Sequence, residues 1–172
     1  MNINHRTSPE HRAYESGFTL MELLIVMSIM LIIMAFAVPQ MLKVKKNANQ
    51  QSALQSIRVI NSAEFQYNSS YGTFGCPLSL LGGDPKSGSA SREAAQLLEP
   101  TLAATSHKAG YIFTLTCGSK TTVNNQDMYN SYELTAVPET VGKTGDLGYC
   151  SDENNIIKFD PTGGTNCTQA IQ

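Results

Sequence analysis

The sequence predicts an α+β fold, in which one long N-terminal helix, transmembrane in its first half and amphipathic in its second, packs on a small antiparallel sheet of about four strands. Three observations predict it. Leu20 to Val38 is a run of 19 residues that carries a single charge, Glu22. Residues 40–67 keep a helical period but become amphipathic. From Tyr111 onward the apolar period changes to two, the signature of strands.

Residues 1–17 are polar and irregular, a processing segment rather than structure. Residues 18–39 form the membrane helix, because ~20 apolar residues suffice to cross a bilayer. A carboxylate inside such a segment costs roughly 2.5–3.5 kcal/mol, so Glu22 calls for a partner. Pro39 lacks a backbone donor, and a kink or a short melted stretch is expected there. In residues 40–67, Ala53, Ile57, Ile60 and Tyr67 share one face, while Gln51, Gln55, Arg58, Ser62 and Gln66 share the opposite one. Glu64 falls on the apolar stripe. A single helix over 18–67 would be roughly 75 Å long.

The helix is expected to end near Asn68-Ser69-Ser70, with Gly72 and Gly75 punctuating the next segment. Residues 68–110 read as a connecting loop, with a short helix from a Ser91 cap through Leu98 and Pro100 beyond its end. Residues 111–172 read as antiparallel sheet and C-terminal loop. The first strand alternates Tyr111, Phe113, Leu115 and Cys117 with polar neighbours. The second alternates Tyr132, Leu134 and Ala136 and stops at Pro138. Leu147–Cys150 and Ile156–Phe159 make the third and fourth. Residues 118–130 read as a polar loop, and the short connections favour antiparallel pairing.

The start of the apolar run holds the most specific pattern. Gly17, Phe18, Thr19, Leu20 and Glu22, followed by an apolar helix ending at Pro39, resemble the N-terminal signature of type IV prepilins and the related type II secretion pseudopilins. The resemblance covers about 25 residues. It implies cleavage after Gly17 by a prepilin peptidase on the cytoplasmic side, methylation of the new Phe18 amine, and packing of apolar helices into a filament core. In that family the glutamate matching Glu22 pairs with the N-terminal amine of a neighbouring subunit. Implied partners are the peptidase, copies of the chain and other pilins, the inner-membrane assembly machinery, and membrane lipid before assembly. The implied location is the inner membrane, with a periplasmic domain, and then an extracellular pilus or a periplasmic pseudopilus. Asn61 to Phe74, with Tyr67 and Tyr71-Gly72-Thr73-Phe74, is similar to the helix-to-loop junction of many bacterial pilins.

Charge and cysteines bound the rest. Residues 1–17 take two of the 12 basic and two of the 14 acidic side chains, leaving ten against twelve, so a nucleic-acid partner is not expected. Cys76, Cys117, Cys150 and Cys167 are even in number, lie beyond the apolar run, and form no close pair of the zinc type. They read as two disulfides in an oxidising compartment; four unpaired buried thiols are the alternative. Four cysteines allow three connectivities. Cys150 and Cys167 bracket the last hairpin, which favours joining them and leaves Cys76 for Cys117. The lysines after the span, Lys43, Lys45 and Lys46, oppose this orientation by the positive-inside count; the cleavage motif and the cysteines outweigh it.

Lys43, Lys45 and Lys46 either attract anionic headgroups or form a solvated face that stops the helix sliding into the bilayer. Asp152, Glu153, Asn154 and Asp160 suggest a calcium loop but lack its ligand spacing, and they equally suit turns, so no metal site and no cofactor is expected. His107 is the lone histidine beyond residue 17, and no nucleophile can be assigned to it. No G-x-S-x-G, Walker or HExxH pattern appears, and no catalytic residue is expected. Phe65, Tyr67, Tyr71 and Phe74 read as a packed junction rather than a stacking platform for DNA. The function expected is therefore a structural filament subunit. Alternatives are a type II secretion pseudopilin, or a minor pilin that binds a surface or takes up DNA.

Overall fold

The computed structural model describes residues 17–86 and 88–171, so the expected leader, residues 1–17, lies outside the described residues except for Gly17. The chain divides into two units, residues 1–39 and 40–172. Helix α1 spans Leu20–Tyr71 and contributes to both. The helix is unbroken at Pro39, so the backbone does not melt there. It begins at Leu20 rather than Phe18 and outlasts the expected end. Ser69 and Ser70 donate back to the carbonyls of Phe65 and Gln66, at 2.9 and 3.0 Å, and satisfy their hydroxyls within the helix. Gly72 then takes a left-handed conformation, φ +69°, and its N–H donates to the Asn68 carbonyl at 2.8 Å, which closes the helix.

In the second unit α1 buries the face its sequence marks. Ala53, Ile57, Ile60 and Tyr67 are buried, and Gln51, Gln55, Arg58, Ser62 and Gln66 are exposed. The sheet supplies the other side of the core. The strands are β1 His107–Lys108, β2 Tyr111–Cys117, β3 Lys120–Val123, β4 Gln126–Tyr129, β5 Tyr132–Pro138, β6 Gly148–Asp152, β7 Lys158–Asp160 and β8 Gln169–Ala170. Six of them form one antiparallel sheet in the order β1-β2-β5-β6-β7-β8, and β3 pairs with β4 in a separate ribbon. Phe113 stands opposite Ala136, and Leu115 opposite Leu134. On β5, Tyr132, Leu134, Ala136 and Pro138 are buried, while Glu133 between them is exposed and Thr135 and Val137 are half-buried. This period of two sends one row of side chains to the helix. Tyr111, Phe113, Tyr132, Leu134 and Ala136 join the helix face in one cluster.

Three expectations are corrected by the fold. The sheet has six strands where about four are expected; β1 and β8 are two-residue edges too short to leave a periodic signal. Residues 118–130 are a β-ribbon rather than a polar loop. Asn124 and Asn125 both take positive φ, 50° and 62°, the type I′ geometry that joins strands by two residues. Ser91–Leu98 is not a helix. Its backbone N–H groups at Ala95, Leu97 and Leu98 donate to the carbonyls of Leu80 and Leu81, which lie on a single 3₁₀ turn, Leu78–Leu81. The short helix is α2, Pro100–Thr105, and Pro100 opens it instead of following one. A proline at the first helical position loses no hydrogen bond, because that N–H has no helical acceptor.

Polar contacts tie α1, and the chain that leaves it, to the rest of the unit. Asn61 is buried; its Nδ2 donates to Ser151 Oγ at 2.7 Å, and its Oδ1 accepts from the Tyr132 hydroxyl at 3.1 Å. Beyond α1, the Tyr129 N–H donates to Thr73 Oγ1 at 2.7 Å and the Phe74 N–H to the Tyr129 carbonyl at 3.2 Å. The ribbon is thereby fastened to the chain leaving the helix. Two disulfides join Cys76 to Cys117 and Cys150 to Cys167, with Cα atoms 5.9 and 6.0 Å apart.

Candidate processing and assembly site

Thr19 and Glu22 open α1 as a reciprocal cap. The Glu22 N–H donates to Thr19 Oγ1 at 3.2 Å, and Glu22 Oε2 accepts from the Thr19 N–H at 3.0 Å and from its hydroxyl at 3.1 Å. This is a capping box, with the glutamate three residues past the cap. The sequence signal for it, Thr-x-x-Glu ahead of an apolar run, is present, so Glu22 has a local partner in Thr19 and is not a bare charge. Both hydrogen bonds to the carboxylate fall on Oε2. A negative group in the first turn also complements the positive end of the helix dipole.

Upstream, Gly17 and Phe18 are exposed. A methyl group placed on Gly17 would meet nothing within 4 Å, so packing among the described residues does not require a glycine there. Phe18 is 84% exposed. From Leu20 to Val38 every large apolar side chain is exposed, fifteen in all. They surround the helix rather than forming a stripe. An apolar surface of this extent is the kind that meets a membrane or another apolar surface. The segment is long and apolar enough to cross a membrane. Ser28, the other polar residue in it, donates its hydroxyl to the Leu24 carbonyl at 2.7 Å and so exposes no free donor.

Residues 12–38 match the family model described as the prokaryotic N-terminal methylation motif. The chain carries the hallmark of type IV prepilin- and pseudopilin-like proteins. No curated protein and no solved structure matches it. The matched residues contain Gly17, Phe18 and Glu22, and Pro39 lies immediately beyond them.

The remaining candidates lie in the second unit. Asp160 is taken up by a turn: one oxygen accepts from the Thr162 hydroxyl and N–H at 2.7 and 2.8 Å, the other from the Asn166 N–H at 3.0 Å. The Thr162 hydroxyl foremost, together with these N–H groups, holds its carboxyl below the usual range. Asp152 accepts from the Asn154 N–H at 3.0 Å. Among the described residues, no three His, Cys, Asp or Glu side chains are grouped as a metal ion would need. His107 Nδ1 lies 3.0 Å from Glu139 on the surface. Of the four aromatics at the junction, Tyr67 and Tyr71 contact at 4.7 Å between ring centres, and Phe74 meets Tyr132 at 4.9 Å. Phe65 does not join them and is 70% exposed, a correction to the packed foursome.

Glu64 is the residue whose importance the sequence reading missed. It is fully buried, and its Oε2 accepts from the Gly75 N–H at 2.8 Å while Oε1 has no partner. Burial raises its carboxyl to about 7, with the Gly75 bond pulling the other way. Burial, and secondarily the charge of Glu64, also pushes up the Tyr132 hydroxyl. The bond depends on close approach: a side chain on Gly75 would come within 2.9 Å of Leu81 and 3.2 Å of the Tyr67 ring.

Proposed function

We propose that the chain is a structural subunit of a type IV pilus-like filament, made as a prepilin, cleaved after Gly17, N-methylated at Phe18 and assembled through its apolar helix. The observation that carries this reading is the methylation motif at residues 12–38 joined to a helix apolar on every side. Before assembly, bilayer lipid covers those side chains. In a filament, neighbouring helices replace the lipid. Glu22 then serves as the counter-charge for the Phe18 amine of an adjoining subunit, an ion pair favoured in a low-dielectric core once both groups are desolvated together. The partners are a prepilin peptidase, copies of the chain and other pilins, and an inner-membrane assembly machine. Residues 40–172 face the periplasm first and the filament exterior afterwards. A secretion pseudopilin would use the same helix in the same way. The abundance of the chain in filaments sheared from cells separates the two roles.

Mass spectrometry of membrane-extracted protein is expected to give an N-terminus at methylated Phe18. Assembled protein that retains residues 1–17 would overturn the proposal. Gly17→Leu is expected to block processing while leaving the melting temperature of the chain unchanged, because a side chain there meets nothing.

A further inference from the structure

We infer that the cleft between α1 and the 140–145 loop, beside Lys43, Lys45 and Lys143, holds the phosphate of an anionic membrane lipid. The inference rests on the reading that Leu20–Val38 lies in a bilayer. Lys43 and Lys45 follow the apolar run by five and seven residues, less than two turns in which the chain passes from lipid to water. Lys143 is about a hundred residues away in sequence and is brought to them by the fold. Lys46 Nζ binds Asp146 at 2.7 Å, and Asn49 Nδ2 donates to the Thr144 carbonyl at 2.9 Å. Gly142, at φ +83°, turns the loop, and its N–H donates to the Gly145 carbonyl at 2.8 Å. The cleft so formed is about 410 Å³ and is lined by Leu42 as well as the lysines and Asn49.

The charges are arranged for an anion. Lys43, Lys45 and Lys143 are exposed, and no ion pair engages them among the described residues. No carboxylate lines the cleft among the described residues, and Asp146, just past the loop, is bound to Lys46. Residues 67–172 carry ten acidic against six basic side chains, so the positive surface is local and does not suit an extended polyanion. Leu42 offers an apolar wall on the side nearest the apolar run in sequence, where a lipid's glycerol and acyl carbons would lie. A lysine near an anionic membrane surface contributes attraction that corresponds to about fivefold in binding. Three lysines converging from two elements make a pocket, whereas those of α1 alone make a collar.

The test uses the full chain in phosphatidylcholine vesicles, with and without phosphatidylglycerol. Flotation reports insertion. Amine acetylation read by mass spectrometry reports the exposure of each lysine, with Lys120 as the distal reference. Insertion into both vesicles, with Lys43, Lys45 and Lys143 protected only where phosphatidylglycerol is present, is the result expected. Lys143→Gln should then lower phosphatidylglycerol retention by about fivefold. Unchanged acetylation in chain that has floated overturns the lipid site, as does full retention by Lys143→Gln. Equal protection by inorganic phosphate in phosphatidylcholine vesicles would make the cleft a free-anion site and overturn the lipid assignment. Protection that tracks protein density instead would place a second copy there, with the same consequence. Failure to float in either vesicle would strike at the membrane reading itself.

Discussion

Glu64 makes the stability of the globular unit depend on pH in a direction opposite to that of most carboxylates. Its acid form fits the core; its ionised form leaves Oε1 charged, buried and without a donor. The carboxyl sits at about 7 in the folded chain against an ordinary 4.5. That difference corresponds to about 3 kcal/mol between the two protonation states. Between pH 4.5 and 7 the folded chain binds the proton more tightly than the unfolded chain, so stability falls as pH rises. The contribution is fully present below pH 4.5 and gone above the folded value. Glu64→Gln keeps the shape, can still accept from the Gly75 N–H, and never ionises. Wild type and Glu64→Gln are therefore expected to melt together near pH 4. They should separate as pH rises, with the variant ahead by about 3 kcal/mol near pH 8, roughly 10 °C for a unit of this size.

The assay is thermal unfolding of the full chain in detergent across that range, monitored by near-ultraviolet circular dichroism of the tyrosines, since the sequence contains no tryptophan. Other titrating groups tilt both profiles alike, so the difference between them isolates Glu64. Parallel profiles would refute the argument. A variant less stable by the same amount at every pH would show that Gln fails to pack and that ionisation of Glu64 carries no stability.

Two further predictions concern assembly and covalent closure. Glu22→Gln preserves the capping box, since glutamine serves at that position, but removes the charge, so filament yield should collapse while the membrane-bound subunit persists; Glu22→Asp should partly rescue, and normal filaments from Glu22→Gln would show the charge to be dispensable. Replacing Cys150 and Cys167 together by serine should lower the stability of the second unit by about 3 kcal/mol, the entropy expected for a loop of this length, in chemical denaturation; an unchanged midpoint would show that the tail is held without the bond.

Much of this arrangement is legible in the sequence because it arises from period. The face Ala53-Ile57-Ile60-Tyr67 and the alternation Tyr132-Leu134-Ala136 each reflect one repeated geometric demand, burial on one side. What escapes the sequence is contact between segments that share no period. Ser91–Leu98 has a serviceable cap and a following proline, yet its N–H groups are claimed by Leu80 and Leu81, which a local reading does not see. Pro100 is ambiguous for the same reason, since proline suits both the position after one helix and the first position of the next. Glu64 looks like a blemish on an apolar stripe until Gly75 is placed beside it. The ribbon at 120–129 and the Thr19–Glu22 cap differ from these. Their signals, Asn-Asn between two polar strands and Thr-x-x-Glu before an apolar run, are local and specific, and reading them as loop and as lone charge underused them.

Under the proposed function, the cap changes what Glu22 would have to do on assembly. A bare carboxylate would need its partner merely to enter lipid, and pairing would then be a condition of insertion. Here the Thr19 N–H and hydroxyl already satisfy Oε2, and the helix dipole favours the charge where it stands. Under the proposed assembly, the subunit would therefore not need its partner merely to satisfy this oxygen before the filament forms. No hydrogen bond occupies Oε1 in the described chain. An arriving ammonium would take that oxygen without dislodging the cap, so capping and pairing add rather than compete. An amide in the same place would offer its oxygen to Thr19 and turn its own N–H groups toward the ammonium. Glu22→Gln therefore separates the cap, which it keeps, from the charge, which it loses.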